Sequence, residues 1–185
     1  MNNPMIAEFS FKTVNLENCI IDRRNFSGNE VKRNGRTLNE EGRRNFLLIL
    51  DPEMTEEFKD RGWAVGKFAQ REEGVEPEGF LRINVSYFKQ PPIIHYISNG
   101  VDTLLDESRL HILDKVNMEN IDMRIVAVNK QNRDGVWQKR AFVDEMWITV
   151  TPDRFMEKYK NLRRSNDEAV MANSPAEDDE LPFDN

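Results

Sequence analysis

Cations and flat rings recur side by side along this chain. Arg23-Arg24-Asn25-Phe26 and Arg43-Arg44-Asn45-Phe46 repeat one pattern, Trp63 is followed by Lys67 and Phe68, Tyr87-Phe88-Lys89 is contiguous, and Trp137 precedes Lys139 and Arg140. Arginine and lysine can follow a run of phosphates, and an aryl face is a surface on which an unpaired base stacks, worth about 1–3 kcal/mol per base. The plainer reading of each pair is a core ring beside a solvated charge. For Phe46, inside the apolar run NFLLIL, the plainer reading is the better one. Phe26 lies in a polar stretch, where the two readings stand even. Phe88 falls on the same side of its strand as Arg82, Asn84 and Ser86, which leaves a ring on a polar face and favours binding. Trp137 sits beside a turn, and its position decides neither way.

The net charge of −7 argues against a polyanionic ligand until it is divided along the chain. Residues 165–185 hold Asp167, Glu168, Glu177, Asp178, Asp179, Glu180 and Asp184 and no Lys or Arg. Removing those seven acids from 33 leaves 26 acids against 26 bases in residues 1–164, a neutral body. Within it, residues 23–44 carry Arg23, Arg24, Lys32, Arg33, Arg36, Arg43 and Arg44 against Glu30, Glu40 and Glu41, a local excess of +4. A local field of this kind draws an anion regardless of the global sum.

Other chemistries find little support. There is no P-loop, GxGxxG, HExxH or GxSxG pattern. His95 and His111 are the two histidines, and nothing joins either to a serine and a carboxylate. Cys19, the single cysteine, precedes Ile20 and Ile21 and reads as a buried, inert thiol. One cysteine permits neither an internal disulfide nor a cysteine-based zinc site. Carboxylate pairs such as Glu40-Glu41, Glu56-Glu57 and Glu72-Glu73 arise by chance when 32% of residues are charged. The chain is therefore read as non-catalytic, with no cofactor and no metal.

The elements that must position these residues are mostly strands. Residues 7–16 alternate apolar and polar as one half-buried strand, and 45–50 form a continuous apolar strand. Between them, 23–44 is read as a mobile loop or a hairpin arm, with Ser-Gly-Asn and Asn-Gly as turn signals. Asp51-Pro52-Glu53 opens a helix that buries Met54 and Phe58 and stops at Gly62. Residues 63–68 and 80–88 are strands, and 93–97 is extended. Residues 101–116 fit a short helix anchored by Leu105, Leu110 and Leu113. Residues 122–129 and 137–150 form a hairpin through 132–135, and a last helix begins at Thr151-Pro152 with Phe155, Tyr159 and Leu162 inward. Strands and helices do not alternate, so a doubly wound fold is excluded in favour of a mainly β, OB-like five-stranded antiparallel barrel with a basic loop or hairpin extension.

The end of the chain, SPAEDDELPFDN, combines four consecutive acids with Leu181-Pro182-Phe183. Like charges keep such a tail solvated and disordered. Leu and Phe beside them have nothing local to pack on and suit an anchor for an apolar pocket with a basic rim. Asp178-Asp179-Glu180-Leu181-Pro182-Phe183 resembles the acidic tip of bacterial and phage single-stranded DNA-binding proteins, which recruits replication and repair enzymes. Here Asp184 and Asn185 follow the Phe, whereas that family ends on it. The body, through Arg24-Asn25-Phe26-Ser27-Gly28, Arg44-Asn45-Phe46, Gly62-Trp63, Arg71-Glu72-Glu73-Gly74 and Pro91-Pro92, resembles a family of phage-encoded single-stranded DNA-binding proteins over roughly residues 20–160. That resemblance implies an OB barrel and a part in phage replication or recombination.

These readings give an OB-like domain, 1–164, and a disordered acidic tail, 165–185. The expected function is to coat single-stranded DNA with little sequence preference. The expected contacts are Arg23, Arg24, Phe26, Lys32, Arg33, Arg36, Arg43, Arg44, Trp63, Lys67, Arg82, Phe88, Lys89, Trp137, Lys139 and Arg140. Expected partners are single-stranded DNA and, through the tail, replication or recombination proteins; a homodimer is admitted. The N-terminus MNNPMIAEFSFK lacks the basic start and apolar run of a signal peptide, and no apolar stretch spans a membrane, so the host cytoplasm is expected. The alternatives are an interaction module that binds no nucleic acid, such as a phage inhibitor of a host enzyme, and a metal-dependent nuclease.

Overall fold

Alternation along a strand decides which side chains turn inward, and the computed structural model of this chain shows where that rule is kept. It describes residues 5–10, 12–70, 74 and 77–151, within the unit Met1–Thr151. The expected last helix and the acidic tail lie outside the described residues.

The alternating stretch 7–16 is two strands rather than one, Met5–Phe9 (β1) and Thr13–Glu17 (β2), paired antiparallel. The Ser10 N–H donates to the Thr13 carbonyl at 2.9 Å, and the two hydroxyls meet at 2.6 Å. A period of two runs on through such a tight turn, and no Gly or Pro marks it. Ile21–Asn25 (β3) follows. The basic stretch then rises as a hairpin arm, Val31–Arg33 (β4) and Arg36–Asn39 (β5), a two-stranded sheet of its own. Asn34 and Gly35 have φ of 50° and 73°, the two left-handed residues that a two-residue type I′ turn requires.

Arg44–Leu50 (β6) leads into the helix Pro52–Asp60 (α1). Asp51 caps it, its carboxylate accepting the Met54 N–H at 2.7 Å, a contact worth about 1 kcal/mol. Met54 and Phe58 are buried, and Gly62, with φ 79°, ends the turn. Val65–Lys67 (β7), Gly79–Val85 (β8) and Ile93–Ser98 (β9) come next. The stretch expected as one helix, 101–116, divides into a strand, Val101–Leu104 (β10), and a 3-10 helix, Glu107–Asp114. Leu105, Leu110 and Leu113 are buried as expected. The β-branched Val101 and Thr103 instead pair with β9, where such residues sit well. Met118–Gln131 (β11) and Trp137–Val150 (β12) close the chain as a long hairpin. In its turn, Asn132 Oδ1 accepts from the N–H groups of Asp134 and Val136, both at 2.9 Å.

Apart from the arm, the strands form one ten-stranded sheet in the order β1-β2-β11-β12-β8-β6-β3, with β7 beside β8 and β9-β10 beside β12. The edge of β12 away from β11 is shared: it runs parallel to β8 at Ala141–Phe142 and to β9 over Glu145–Thr149. The mainly β, OB-like expectation holds, with more strands than five and two parallel pairings. Phe46, Leu48, Leu81, Ile83, Ile125, Met146 and Ile148 fill one core on the inner face, each burial contributing about 1.5–3 kcal/mol. Among the described residues no helix is long and apolar enough to cross a membrane.

Candidate nucleic-acid interface

With Leu81, Ile83 and Val85 turned to the core, β8 presents Phe80, Arg82 and Asn84 on the outer face. The ladder carries this face to its neighbours. Phe80 stands between Ile49 of β6 and Gly66 of β7, and Asn84 between Asn45 of β6 and Phe142 of β12. Gly66 is required here: a Cβ at that position would run into the Phe80 ring. Phe68, just past β7, packs on Phe80 with ring centroids 4.7 Å apart. The Arg23 guanidinium lies over the Phe68 ring, 5.3 Å from its centroid.

Arg23 reaches Phe68 because β3 is irregular. Its register with β6 shifts between Asp22 and Asn25, and Arg23 takes φ 48°. A bulge of this kind re-aims a side chain, and a left-handed non-glycine residue costs of order 1–3 kcal/mol. The Asp22 carboxylate holds the kink by accepting the Arg23 N–H at 2.7 Å. The result is an exposed guanidinium against two partly buried phenyl rings, with Arg82 exposed two residues along β8 from Phe80. Farther along, Arg140 and Phe142 alternate outward on β12 opposite Val128 and Val126 of β11. Asn84 ties β8 to β12, its amide donating to the Ala141 carbonyl at 3.0 Å.

The other half of the same face is acidic. Arg124 Nε donates to Asp144 at 2.6 Å and its Nη2 to Glu145 at 2.7 Å. Those hydrogen bonds push the guanidinium above its ordinary value. His95 stacks on Trp147 at 5.3 Å and meets Asp102 at 2.7 Å. Among the described residues no group of His, Cys, Asp and Glu is arranged to hold a metal ion.

Residues 6–183 match the family model of the phage ssDNA-binding domain. The chain belongs to this family. Two solved structures are similar in outline: the single-stranded DNA-binding protein from bacteriophage Enc34, at 7% identity and TM-score 0.46 over 82% of this chain and 92% of that one, and its C-terminal truncation, at 7% identity and TM-score 0.45 over 81% and 96%. No curated protein matches the sequence.

Against this family background, the residues expected at the interface fall into separate groups. Arg23, Lys67, Arg82 and Arg140 lie along or beside the outer face. Phe88 and Trp137 are 89% and 66% exposed, and Lys89 is exposed beside Phe88. Lys32, Arg33, Arg36 and Arg43 stand on the arm or at its foot, Lys32 paired with Glu30 at 2.7 Å and Arg43 with Glu40 at 2.6 Å. Two expectations are corrected. Phe26 is fully buried, stacked on Phe46 at 5.3 Å, and Trp63 is packed edge-on to Phe58 at 5.5 Å; neither offers a ring face to a base. Arg24 donates to the Val116 carbonyl at 3.0 Å and Arg44 to Glu107 at 2.7 Å, so both act in holding the fold. Lys139 is half-buried, its backbone tied to Gly62 and Ala64. The tail residues Asp178, Asp179, Glu180, Leu181, Pro182 and Phe183 lie outside the described residues.

Phe68 was noted beside Lys67 in the sequence, but two further rings on this face, Phe80 and Phe142, were not expected there. A lone glycine within a strand marks close backbone or ring approach, so Gly66 in WAVGKF was the available signal. Also unexpected is the asparagine cluster at the foot of the arm. Asn45 donates to Asn39 Oδ1 at 2.6 Å, and Asn39 donates to the carbonyls of Asn29, Glu40 and Arg43 at 3.0, 3.0 and 2.8 Å. Across the foot, Asp114 accepts from the N–H groups of Phe26 and Ser27 at 2.7 and 2.8 Å.

Proposed function

We propose that this protein coats single-stranded DNA with little sequence preference, the strand crossing the outer face from the Arg23–Phe68–Phe80 array past Arg82 toward Phe142 and Arg140. The array supports the reading most directly, because a left-handed arginine and a glycine that leaves room for the Phe80 ring together set a cation against two rings on the outer face. Bases stack on the rings, the guanidinium groups follow the phosphates, and neither contact reads base edges. Lys67, Phe88, Lys89 and Trp137 flank this path, and the field of the +4 stretch steers the polyanion toward it. The protein acts without catalysis, in phage replication or recombination in the host cytoplasm. Its tail recruits partner proteins through Leu181-Pro182-Phe183.

A titration of labelled oligo-dT and of duplex of equal length, each at two salt concentrations, tests this. Tight, salt-dependent binding to oligo-dT is expected. Phe80→Ala should weaken it by roughly 5- to 100-fold, the worth of one base stack, with circular dichroism unchanged. No binding to oligo-dT at low salt would sink the reading.

A further inference from the structure

We propose that the arm of one copy docks on the β9–β10 edge of another. The arm is an isolated hairpin, and a two-stranded sheet is marginal in water unless it packs on something. Every residue from Val31 to Leu38 is exposed, including Val31 at 41% and Leu38 at 50%. Arg33 and Arg36 are cross-strand partners, and alternation puts Leu38 on the same face as Arg36. Neither arginine makes an ion pair among the described residues. The arm thus offers two guanidinium groups, an apolar side chain and unpaired strand edges together.

The complement is on the same chain. Among the described residues β10 pairs with β9 alone, so its other edge is open. Leu104 is 61% exposed and Ile93 47%, and both lie on the outer face, as Leu104 is opposite His95 and Ile93 is two residues before it. Asp102, bonded to His95, shares that face with Leu104; Glu145, bonded to Arg124, is opposite Ile93; and Asp106 follows the strand. An apolar pair bordered by carboxylates, next to an open edge, matches an apolar residue bordered by guanidinium groups on a free strand. The charges fix the orientation, and edge-to-edge pairing supplies the backbone hydrogen bonds. The two surfaces differ, so the contact is heterologous and can repeat from copy to copy. The docking edge lies on the acidic half of the outer face, and its test rests on the proposed binding of single-stranded DNA.

The full-length chain tests it through cooperativity on DNA. Binding is measured to a dT length series, from the shortest oligomer that binds to one many times longer. Arg33→Glu/Arg36→Glu and, separately, Asp102→Lys should each reduce cooperativity on the long oligomer by about tenfold, the scale of one close charge pair. Affinity for the shortest oligomer should be unchanged by Asp102→Lys; Arg33→Glu/Arg36→Glu, which takes charge from the steering stretch, should lower cooperativity by more than it lowers that affinity, and combining the reversals should restore cooperativity. In a mixture of Leu38→Cys and Leu104→Cys proteins on long dT, a mixed disulfide dimer should form; the native Cys19 is buried. Two results would overturn the proposal. One is equal cooperativity in all variants with no mixed disulfide. The other is loss of affinity on the shortest oligomer equal to that on the longest after Arg33→Glu/Arg36→Glu, which would put the arm on DNA instead.

Discussion

Phe80 occupies the space that a side chain on Gly66 would need. The two are cross-strand partners on β8 and β7, so the absence of one side chain leaves room for the Phe80 ring, which contacts Phe68. Gly66→Ala should push the Phe80 ring aside and separate it from Phe68. Overpacking of this kind costs about 1–3 kcal/mol. The expected outcome is a lower thermal midpoint and oligo-dT affinity reduced several-fold. Affinity kept at the wild-type level would show that the Phe68–Phe80 pair is not used for binding.

The foot of the arm depends on asparagine amides. Asn39→Ala removes the partner of Asn45 and of three carbonyls at once. Leaving buried polar groups unpaired costs about 1–3 kcal/mol. Hydrogen exchange should quicken through residues 25–43 while β11 and β12 keep their protection. Equal exchange in the arm of both proteins would argue against this role.

Cys19 is buried, and that burial, helped by the Asp122 carboxylate, pushes its thiol well above the ordinary 9.0. Ellman's reagent at pH 8 should fail to label it in the native protein and label it fully in guanidinium. The native state keeps its thiol proton where the unfolded chain releases it. Stability is therefore undiminished below pH 9.0 and falls as pH rises beyond it. Denaturant midpoints of wild type and Cys19→Ala compared between pH 8 and 10 give the sign: the wild type should lose more.

Deleting residues 174–185 removes a terminus with a strong excess of acid from a chain whose 23–44 stretch carries +4. Binding to oligo-dT at low salt should tighten, and the gain should fade as salt screens the tail. Weaker binding by the truncated chain would count against competition between tail and DNA.

What the sequence made legible was local. The Asp51 cap, Pro52 at the first turn and the Met54/Phe58 spacing define α1 within eleven residues, and the structure follows them. The turn at 132–135 was equally plain from Asp-Gly. Phe26 was not, because its burial depends on Phe46 and on the Asp114 carboxylate, which holds its backbone from 88 residues away. The Phe68–Phe80 contact was hidden for the same reason: Phe68 follows β7, Phe80 lies in β8, and only pairing of those strands brings them together. Charge was legible by amount but not by placement, since the arginines at 24 and 44 turn to the fold's own acceptors.

The shared edge of β12 bears on how such a chain can change. With β11 along one side and β8 and β9 in succession along the other, an added or lost residue inside β12 would slip three neighbours at once and turn core side chains outward. Length can vary cheaply where no ladder passes, as at the arm's tip and at the Asn132 turn. Relatives that differ in length should therefore differ at those tips, and the long hairpin should serve as the fixed ruler against which their sequences are aligned.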